Sequence, residues 1–300
     1  MTIQLGVAPI AWSNDDLPSL GGDTPLEVCL RESREAGFSG TETGGKFPME
    51  PSKLKPLLDQ HELKLVSGWF SGELLNGSVE REIERMKPQL ETFAALGAPV
   101  LVYAETTGST QSLMDVPLSN RPAFPAERYR DYGEKLTELA RYMADHGVQM
   151  AFHHHMGTVV EKQHELEALL DHTGDEVGVV LDTGHLVFAG GEVEPIIQSY
   201  GSRINHVHCK DIRLEVMEQA LKNQWSFLES VLAGVFTVPG DGGLDFERYA
   251  KELAKIRYSG WVVVEAEQDP AKAPPLEYSR KGHDHLLGVL KRAGLQVVDA

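Results

Sequence analysis

The chain lacks the features that mark a disulfide-rich, secreted or membrane protein. It has only two cysteines, Cys29 and Cys209, and neither has a second cysteine at a zinc-finger spacing. This usage favours a reduced, intracellular compartment. The first residues do not form a basic segment followed by an apolar run, and no stretch approaches the roughly 20 apolar residues that span a bilayer. We therefore expect a cytoplasmic protein without a membrane partner.

Positive charge is also scarce. The 28 Lys and Arg residues stand against 45 Asp and Glu residues, which gives a net charge of −17. Because phosphate backbones bind to basic faces, this balance argues against a nucleic-acid partner. The content of 41% hydrophobic and 24% charged residues is ordinary for a globular protein. Neither a linker nor a low-complexity segment divides the sequence, so we expect one domain over residues 1–300.

Short apolar runs alternate with longer amphipathic segments along the chain. The eight predicted strands are Ile3–Pro9, Gly40–Thr43, Leu63–Gly68, Val100–Tyr103, Val148–His153, Val177–Leu181, Ile204–His208 and Trp261–Glu265. The predicted helices are Thr24–Ala36, Ser78–Leu96, Pro125–His146, Glu161–His172, Val193–Tyr200, Asp245–Ile256 and Leu276–Ala293. Several strands are apolar throughout, as expected when both faces of a parallel sheet are covered.

This alternation predicts an α/β fold, a single (β/α)₈ barrel. A doubly wound open sheet is the alternative, but no Gly-x-Gly-x-x-Gly follows the first strand. The two longest connections, 106–124 and 210–243, follow strands four and seven. Connections of this length are usually functional or helical in part, and in a barrel both would lie on the catalytic face.

Polar side chains follow the strands at their carboxyl ends. The run Val179–His185 changes abruptly from apolar residues to Asp182 and His185, and Ile204–Asp211 and Trp261–Glu267 end in the same way. In a barrel these ends meet on one face, so the side chains are expected to converge. The strand-end candidates are Trp12, Glu42, Lys46, Trp69, Glu105, His153, His154, His155, Asp182, His185, His208, Lys210, Asp211, Glu265 and Glu267.

Mixed carboxylate and imidazole donors indicate a catalytic site for a divalent metal such as Mn²⁺, Co²⁺, Fe²⁺ or Zn²⁺. Other interpretations stay open at this point. Asp182 is also a suitable N-cap for a following helix. His208 is alternatively a hydrogen-bonded core histidine, and Trp12 and Trp69 are alternatively packing residues. Glu42 and Lys46 are alternatively an exposed ion pair.

Four motifs, in order, resemble the xylose-isomerase-like barrel superfamily of sugar isomerases, epimerases and lyases. They are Asp182-Thr183-Gly184-His185, His206–Asp211, Val238–Phe246 and the strand that ends in Glu265. Within that superfamily the chain is most similar to the inosose dehydratases. That likeness rests on Trp12–Asp16, Gly21–Pro25, Gly44–Pro48, His153–Thr158 and Glu265–Pro270.

The resemblance implies one divalent metal held by residues from strands five to eight. Asp182, His208 and Glu265 match the last three positions. At strand five most of the superfamily has Glu, whereas this chain has His153, which is the first of three consecutive histidines. Which of the three is the ligand stays open. Strand register favours His153, places His155 on the same face as a second candidate, and turns His154 the other way.

The resemblance further implies an enzyme of inositol catabolism, a hydro-lyase. It would dehydrate 2-keto-myo-inositol (scyllo-inosose), a small keto-cyclitol, to a cyclic diketone through an enediolate. Mn²⁺ or Co²⁺ is the expected metal, with Zn²⁺ and Fe²⁺ open, and glutathione is a further cofactor that the resemblance raises. A homo-oligomer also stays open. The main alternative is a metal-dependent sugar isomerase or epimerase. A nuclease of the same superfamily that acts at abasic DNA sites is a more distant one, which the net charge of −17 disfavours, and a sugar-binding barrel without catalysis is the non-enzyme alternative.

Roles for the remaining candidates follow from the same chemistry, because removal of a proton beside a ketone and loss of hydroxide need a base and an acid. The candidates for proton transfer are His155, His185, Glu42, Lys46, Lys210 and Glu267. The candidates for substrate binding are Trp12, Trp69, His154 and Glu267. Among the proton-transfer residues, His155 and His185 come first.

Overall fold

The computed structural model describes residues 2–299 and contains a closed barrel of eight parallel strands. The strands are β1 (Thr2–Val7), β2 (Gly40–Thr43), β3 (Lys64–Gly72), β4 (Val100–Glu105), β5 (Gln149–Phe152), β6 (Val177–Asp182), β7 (Ile204–Cys209) and β8 (Gly260–Val264). Each strand pairs with the next, and β8 pairs with β1 from Ile3–Gly260 to Val7–Val264, which closes the barrel. The predicted (β/α)₈ barrel is confirmed.

Helices surround the barrel. They are α1 (Leu26–Glu35), α2 (Pro51–Gln60), α3 (Val79–Leu96), α4 (Tyr129–Asp145), α5 (Gln163–Leu170), α6 (Thr183–Phe188), α7 (Val193–Tyr200), α8 (Leu214–Asn223), α9 (Phe227–Leu232), α10 (Phe246–Lys255) and α11 (Pro275–Arg292). Sequence analysis missed α2, which starts at Pro51 and contains a second proline, Pro56. Because an internal proline removes one backbone hydrogen bond, proline usually argues against a helix, and the sequence therefore did not predict one here.

The connection 210–243 is partly helical, as expected, since it contains α8 and α9. It also contains a short antiparallel pair formed by Asp211–Ile212 and Phe236–Thr237. The connection 106–124 contains a 3₁₀ turn at Leu118–Asn120. Both follow strands at their carboxyl ends and therefore lie on the face where the polar residues converge.

Apolar side chains on the two faces of the barrel wall belong to different clusters. Leu5 and Val7 of β1 join the large core that packs the barrel against its helices. A separate small cluster contains Val66, Trp261 and Val263, and a Cβ placed on Gly6 would meet all three at 3.3–3.4 Å. Alternation along β1 therefore assigns this second cluster to the barrel interior.

Two bulges interrupt this alternation. Between β2 and β3, Thr41 pairs with Leu65 but Thr43 pairs with Gly68, so β3 has one extra residue. Between β6 and β7, a similar shift follows the pairing of Val179 with Ile204. Bulges re-aim the side chains that follow them. No helix within residues 2–299 combines the length and the hydrophobicity needed to cross a bilayer.

Candidate metal centre and active site

A cavity of about 230 Å³ opens at the carboxyl ends of the strands. This is smaller than the roughly 300–1,000 Å³ of pockets for drug-sized ligands. Strand-end residues from around the barrel line it, and they include Glu42, Trp69, His153, His155, His208, Glu265 and Glu267. Loop residues complete the lining, among them Asp15, Asp16 and Gln111. The site therefore suits a small polar molecule.

His153, Asp182, His208 and Glu265 come together beside this cavity. Each offers one nitrogen or oxygen atom, and these atoms all lie within 4.8 Å of one another. His153 follows β5 directly, Asp182 ends β6, His208 lies near the end of β7, and Glu265 follows β8. All four side chains are buried. The barrel thus supplies one potential ligand from each of four consecutive strands.

Asp182 has two separate functions in this geometry. Its Oδ1 accepts a hydrogen bond of 2.7 Å from the backbone N–H of His185 and so caps α6. Its Oδ2 has no hydrogen-bond partner among residues 2–299 and lies 3.5 Å from Nε2 of His153 and 3.6 Å from Nδ1 of His208. The capping role and the cluster role therefore coexist on one carboxylate.

The hydrogen-bond partners of His153 indicate that a cation fits this cluster. Nδ1 of His153 lies 2.5 Å from the carbonyl oxygen of His154, which can only accept, so Nδ1 carries the proton. In the neutral ring, the lone pair of Nε2 then lies opposite Oδ2 of Asp182. Two electron-donating atoms that face each other in a buried site fit a divalent metal between them.

His208 and Glu265 are strongly perturbed by each other. Burial lowers the pKa of His208, but the carboxylates of Glu265 and Glu42 outweigh burial and raise it well above its usual value. Burial alone would raise the pKa of Glu265, but His208 and Lys210 outweigh burial and lower it to about 2. Glu265 is thus a carboxylate at neutral pH, ready to bind a cation.

Lys210 is the charged centre of the site's inner wall. It is fully buried, and its Nζ lies 2.8 Å from both Glu265 Oε1 and Glu267 Oε1. Nζ also lies 2.8 Å from Nε2 of His185. Burial lowers the pKa of Lys210, but the surrounding carboxylates, Glu265 first, outweigh burial and raise it. The ammonium group therefore stays charged and holds three side chains in place.

His155 and His185 are neutral in this environment, because burial, with the nearby ammonium of Lys210, lowers the pKa of both well below its usual value. Their ring centroids are 3.8 Å apart. Nδ1 of His155 lies 2.7 Å from the carbonyl oxygen of Met156 and so carries the proton. Nε2 of His155 is then an unprotonated base in a residue that lines the cavity.

The pKa of Glu267 is raised, in contrast to those of His155 and His185. Burial raises its pKa to about 7, although Lys210 acts to lower it. Its Oε1 contacts Lys210, whereas its Oε2 is buried without a hydrogen-bond partner in the described chain. A carboxyl group with this pKa is partly protonated at neutral pH. It can therefore donate a proton as well as accept one.

Trp12, Lys46 and His154 are among the sequence candidates that do not line the cavity. Trp12 is buried, and its Nε1 donates a 2.7 Å hydrogen bond to Glu32. Lys46 is exposed and donates to the carbonyl oxygens of residues 21, 22 and 24. His154 is buried, and burial lowers its pKa to about 3. Trp69, in contrast, lines the cavity and makes edge contacts with the rings of His153 and His155.

Sequence reasoning missed several residues at the site. Asp16 and Gln111 line the cavity from different loops, and Gln111 Nε2 donates to Asp16 Oδ1 at 3.2 Å. Burial is the largest influence on Asp16 and raises its pKa. Ser67 and His206 lie deeper and both contact Glu42. The only signals for Asp16 and His206 were their places in the quoted motifs; Gln111 and Ser67 had none.

Comparison with known proteins agrees with the fold. The family profile described as Xylose isomerase-like TIM barrel matches residues 30–289. The chain belongs to the xylose-isomerase-like TIM-barrel family. Among solved structures, the IolI protein with a bound zinc atom has a TM-score of 0.70 and 19% identity, covering 97% of this chain and 99% of its own. L-ribulose 3-epimerase has a TM-score of 0.69 and 15% identity, covering 97% of this chain and 96% of its own. These likenesses concern the fold.

Family members with much higher sequence identity span the whole chain. The rhizopine catabolism protein MocC of Rhizobium meliloti is 47% identical over 300 residues, which are 100% of this chain and 92% of the relative. An inosose dehydratase of Bacillus cereus (strain AH820) is 44% identical over 296 residues, which are 98% of each chain. The resemblance to inosose dehydratases that the motifs indicated is confirmed.

Proposed function

We propose that this chain is a metal-dependent hydro-lyase that removes water from 2-keto-myo-inositol in inositol catabolism. The observation that carries the proposal is the buried cluster of His153, Asp182, His208 and Glu265 beside a cavity of about 230 Å³. The cluster lies in a chain that matches an inosose dehydratase over 98% of its length. The substrate class is a small keto-cyclitol.

The four clustered residues are the proposed metal ligands, with His153 as the strand-five ligand. A divalent ion held there supplies Lewis-acid stabilisation of the negative charge that develops on the substrate's carbonyl oxygen. His153 is preferred over its neighbours because its Nε2 faces Asp182 at 3.5 Å. His155 instead lies beside His185 and Glu267, and His154 lies outside the cavity lining.

His155 is the proposed general base. Its Nε2 is unprotonated and its side chain lines the cavity, so it can accept the proton from the carbon beside the ketone. That step breaks the C–H bond and leaves an enediolate. His185, 3.8 Å away between ring centroids, packs against His155 at an interplanar angle of 41° and keeps its ring in place.

Glu267 is the proposed general acid. With a pKa raised to about 7 by burial, it can give a proton to the departing hydroxyl, which leaves as water when the C–O bond breaks. Lys210 holds Glu267 and Glu265 at 2.8 Å and provides a fixed positive charge. Trp69 is the proposed apolar wall against the C–H face of the ring.

Trp12, Lys46 and His154 support the site from outside the cavity in this proposal. Lys46 fastens the loop after β1 through three backbone carbonyls. Mn²⁺ or Co²⁺ as the ion rests on the mixed carboxylate and imidazole donors. Glutathione and a homo-oligomer rest on sequence reasoning alone, and a cytoplasmic location rests on that reasoning together with the two free cysteines, both buried.

The test starts from metal-free protein, which is first reconstituted with Mn²⁺ or Co²⁺ and then incubated with 2-keto-myo-inositol. We expect absorbance of a conjugated product to rise with metal loading, and mass spectrometry to show the loss of one water. The matched control is the double variant Asp182→Asn, Glu265→Gln, which should lose metal and turnover together. An isomer of unchanged mass would instead identify an isomerase or epimerase, and no product at full metal loading would refute the assignment.

A further inference from the structure

A second polar cluster lies in the barrel interior and contacts His208 on the side of its ring opposite Asp182 and Glu265. It consists of Glu42, Ser67 and His206; Ser67 and His206 are fully buried and Glu42 is 6% exposed. Inward positions of such barrels are usually filled by branched apolar residues. Burial of a carboxylate and an imidazole there is costly unless both are hydrogen-bonded, so their presence calls for an explanation.

Three contacts converge on one oxygen of this cluster. Oε1 of Glu42 accepts from Nε2 of His206 at 2.8 Å and from Nε2 of His208 at 3.0 Å. The hydroxyl of Ser67 donates to the same oxygen in a short hydrogen bond. Ser67 and His206 thus fix the carboxylate that accepts the hydrogen bond from Nε2 of His208.

The two bulges bring these donors into the barrel. Leu65 belongs to the outer core, so strict alternation would turn Ser67 outward as well. The extra residue in β3 places Val66 and Ser67 together opposite Glu42, and Ser67 faces inward. In β7, Ile204 also belongs to the outer core, and the shift after it turns His206 inward, on the same face as His208.

We propose that Glu42, held by His206 and Ser67, is a positioning residue that fixes His208 with Nε2 protonated and Nδ1 directed toward Asp182 and Glu265. The inference rests on the metal site of the proposed function. Nδ1 of His208 lies 2.5 Å from Glu265 and 3.6 Å from Asp182, so the nitrogen that does not contact Glu42 is the one that faces the cluster. Partners of this kind set the tautomer and orientation of metal-binding histidines.

The first experiment compares zinc binding by the wild type, Glu42→Ala and Glu42→Gln, measured by competition with a chromophoric chelator. We expect Glu42→Ala to weaken affinity about 10–100-fold, which is the usual cost of losing such a partner. Glu42→Gln keeps a carbonyl oxygen that accepts from His208, so its affinity should stay within a few-fold of wild type. Equal affinity for wild type and Glu42→Ala would overturn the proposal.

The second readout is the protonation of the ring itself. In zinc-loaded protein labelled with ¹⁵N-histidine, long-range ¹H–¹⁵N spectra should show His208 with a protonated, slowly exchanging Nε2 and a metal-shifted Nδ1. This pattern should persist in Glu42→Gln and be lost in Glu42→Ala. If Glu42 instead transferred protons to substrate, both variants would lose turnover equally while zinc affinity and the spectra stayed unchanged, and positioning would be refuted.

Glu82→Ala is the matched control, since Glu82 is 2% exposed and its carboxylate also has several partners, Tyr103 and Arg85 among them. It should lower the melting temperature without changing zinc affinity. His206→Leu should weaken zinc binding in the wild-type background but not in Glu42→Ala, because His206 acts through Glu42. Additive effects would contradict that order.

The outcomes separate this inference from the proposed function. Zinc binding that depends on Glu42 without any dehydration of the keto-inositol would sustain the positioning role and refute the activity. If the wild type dehydrated the keto-inositol but Glu42→Ala changed neither the zinc affinity nor the His208 spectrum, the activity would be supported and the positioning role refuted. A wild-type protein that binds no divalent metal would overturn both.

Discussion

His208 and Glu265 are in direct contact, with Nδ1 of the imidazole 2.5 Å from Oε2 of the carboxylate. Together with Glu42 on the other ring nitrogen, Glu265 raises the pKa of His208 well above its usual value despite burial. Without metal, His208 is therefore an imidazolium between two carboxylates. A metal ion that binds Nδ1 must displace one proton.

We therefore predict that Mn²⁺ binding at pH 7 releases about one proton. Below the raised pKa of His208 the proton competes with the metal, so apparent affinity rises with pH until that pKa is passed. Calorimetric titrations in buffers of different ionisation enthalpy measure the proton count. His172→Gln, which removes an exposed imidazole, should leave the count unchanged. A binding enthalpy that is independent of the buffer would contradict the prediction.

Lys210→Met should strongly destabilise the metal-free protein. The change leaves Glu265, Glu267 and Asp182 buried around a missing cation, and removal of one partner of a buried charge cluster costs about 3–5 kcal/mol. Urea unfolding in the presence of a chelator measures the loss. Lys55→Met breaks an exposed pair with Asp59 and should cost less than about 1 kcal/mol. If the two variants lost equal free energies of unfolding, Lys210 would not be the cation that neutralises the buried carboxylates of the site.

Much of the fold could be predicted because the barrel strands are apolar and the polar residues follow them. Asp182 illustrates why this works, since an apolar β6 ends abruptly in a carboxylate. Its double use was harder to foresee, because helix capping and metal binding both favour Asp at a strand–helix junction. In the structure Oδ1 caps α6, whereas Oδ2 faces Nε2 of His153, where the proposed metal ion would bind.

Other residues could not be placed from the sequence, for physical reasons. Inward orientation of Ser67 and His206 depends on two bulges, and a pattern of period two carries no sign of them. Trp12 and Lys46 follow strands closely, yet their loops turn them to Glu32 and to backbone carbonyls rather than into the cavity. Position along the chain near a strand end thus indicates a face of the barrel but not a side-chain direction.

Gln111→Ala should raise KM more than it changes kcat. Gln111 joins the loop after β4 to Asp16 in the loop after β1 through contacts of 3.2 and 3.3 Å at the cavity. A hydrogen bond to a charged group is worth about 1.5–3 kcal/mol, so KM should rise about 10–100-fold if the joined loops bind substrate. Gln224→Ala, at an exposed residue, is the control. A kcat that falls while KM is unchanged would place Gln111 in the chemical step instead.

Replacing His153 and His155 in turn separates metal binding from proton transfer. The two imidazoles are almost equally buried and only two residues apart, so each variant is the other's control for packing. His153→Ala should lower metal affinity about 100-fold or more, because loss of a ligand should cost at least as much as loss of an outer partner. His155→Ala should bind metal nearly as wild type does and lower kcat about 10²–10⁴-fold.

His153→Glu completes this series. Glutamate restores a donor atom at the end of β5, although it adds a third carboxylate beside Asp182 and Glu265. We expect it to bind metal more tightly than His153→Ala, while turnover stays below wild type because the charge around the bound ion has changed. Metal content after dialysis, with kcat measured on the same samples, distinguishes the cases. Metal retained by His153→Ala but lost by His155→Ala would move the strand-five ligand two residues along the chain and assign the base to another group.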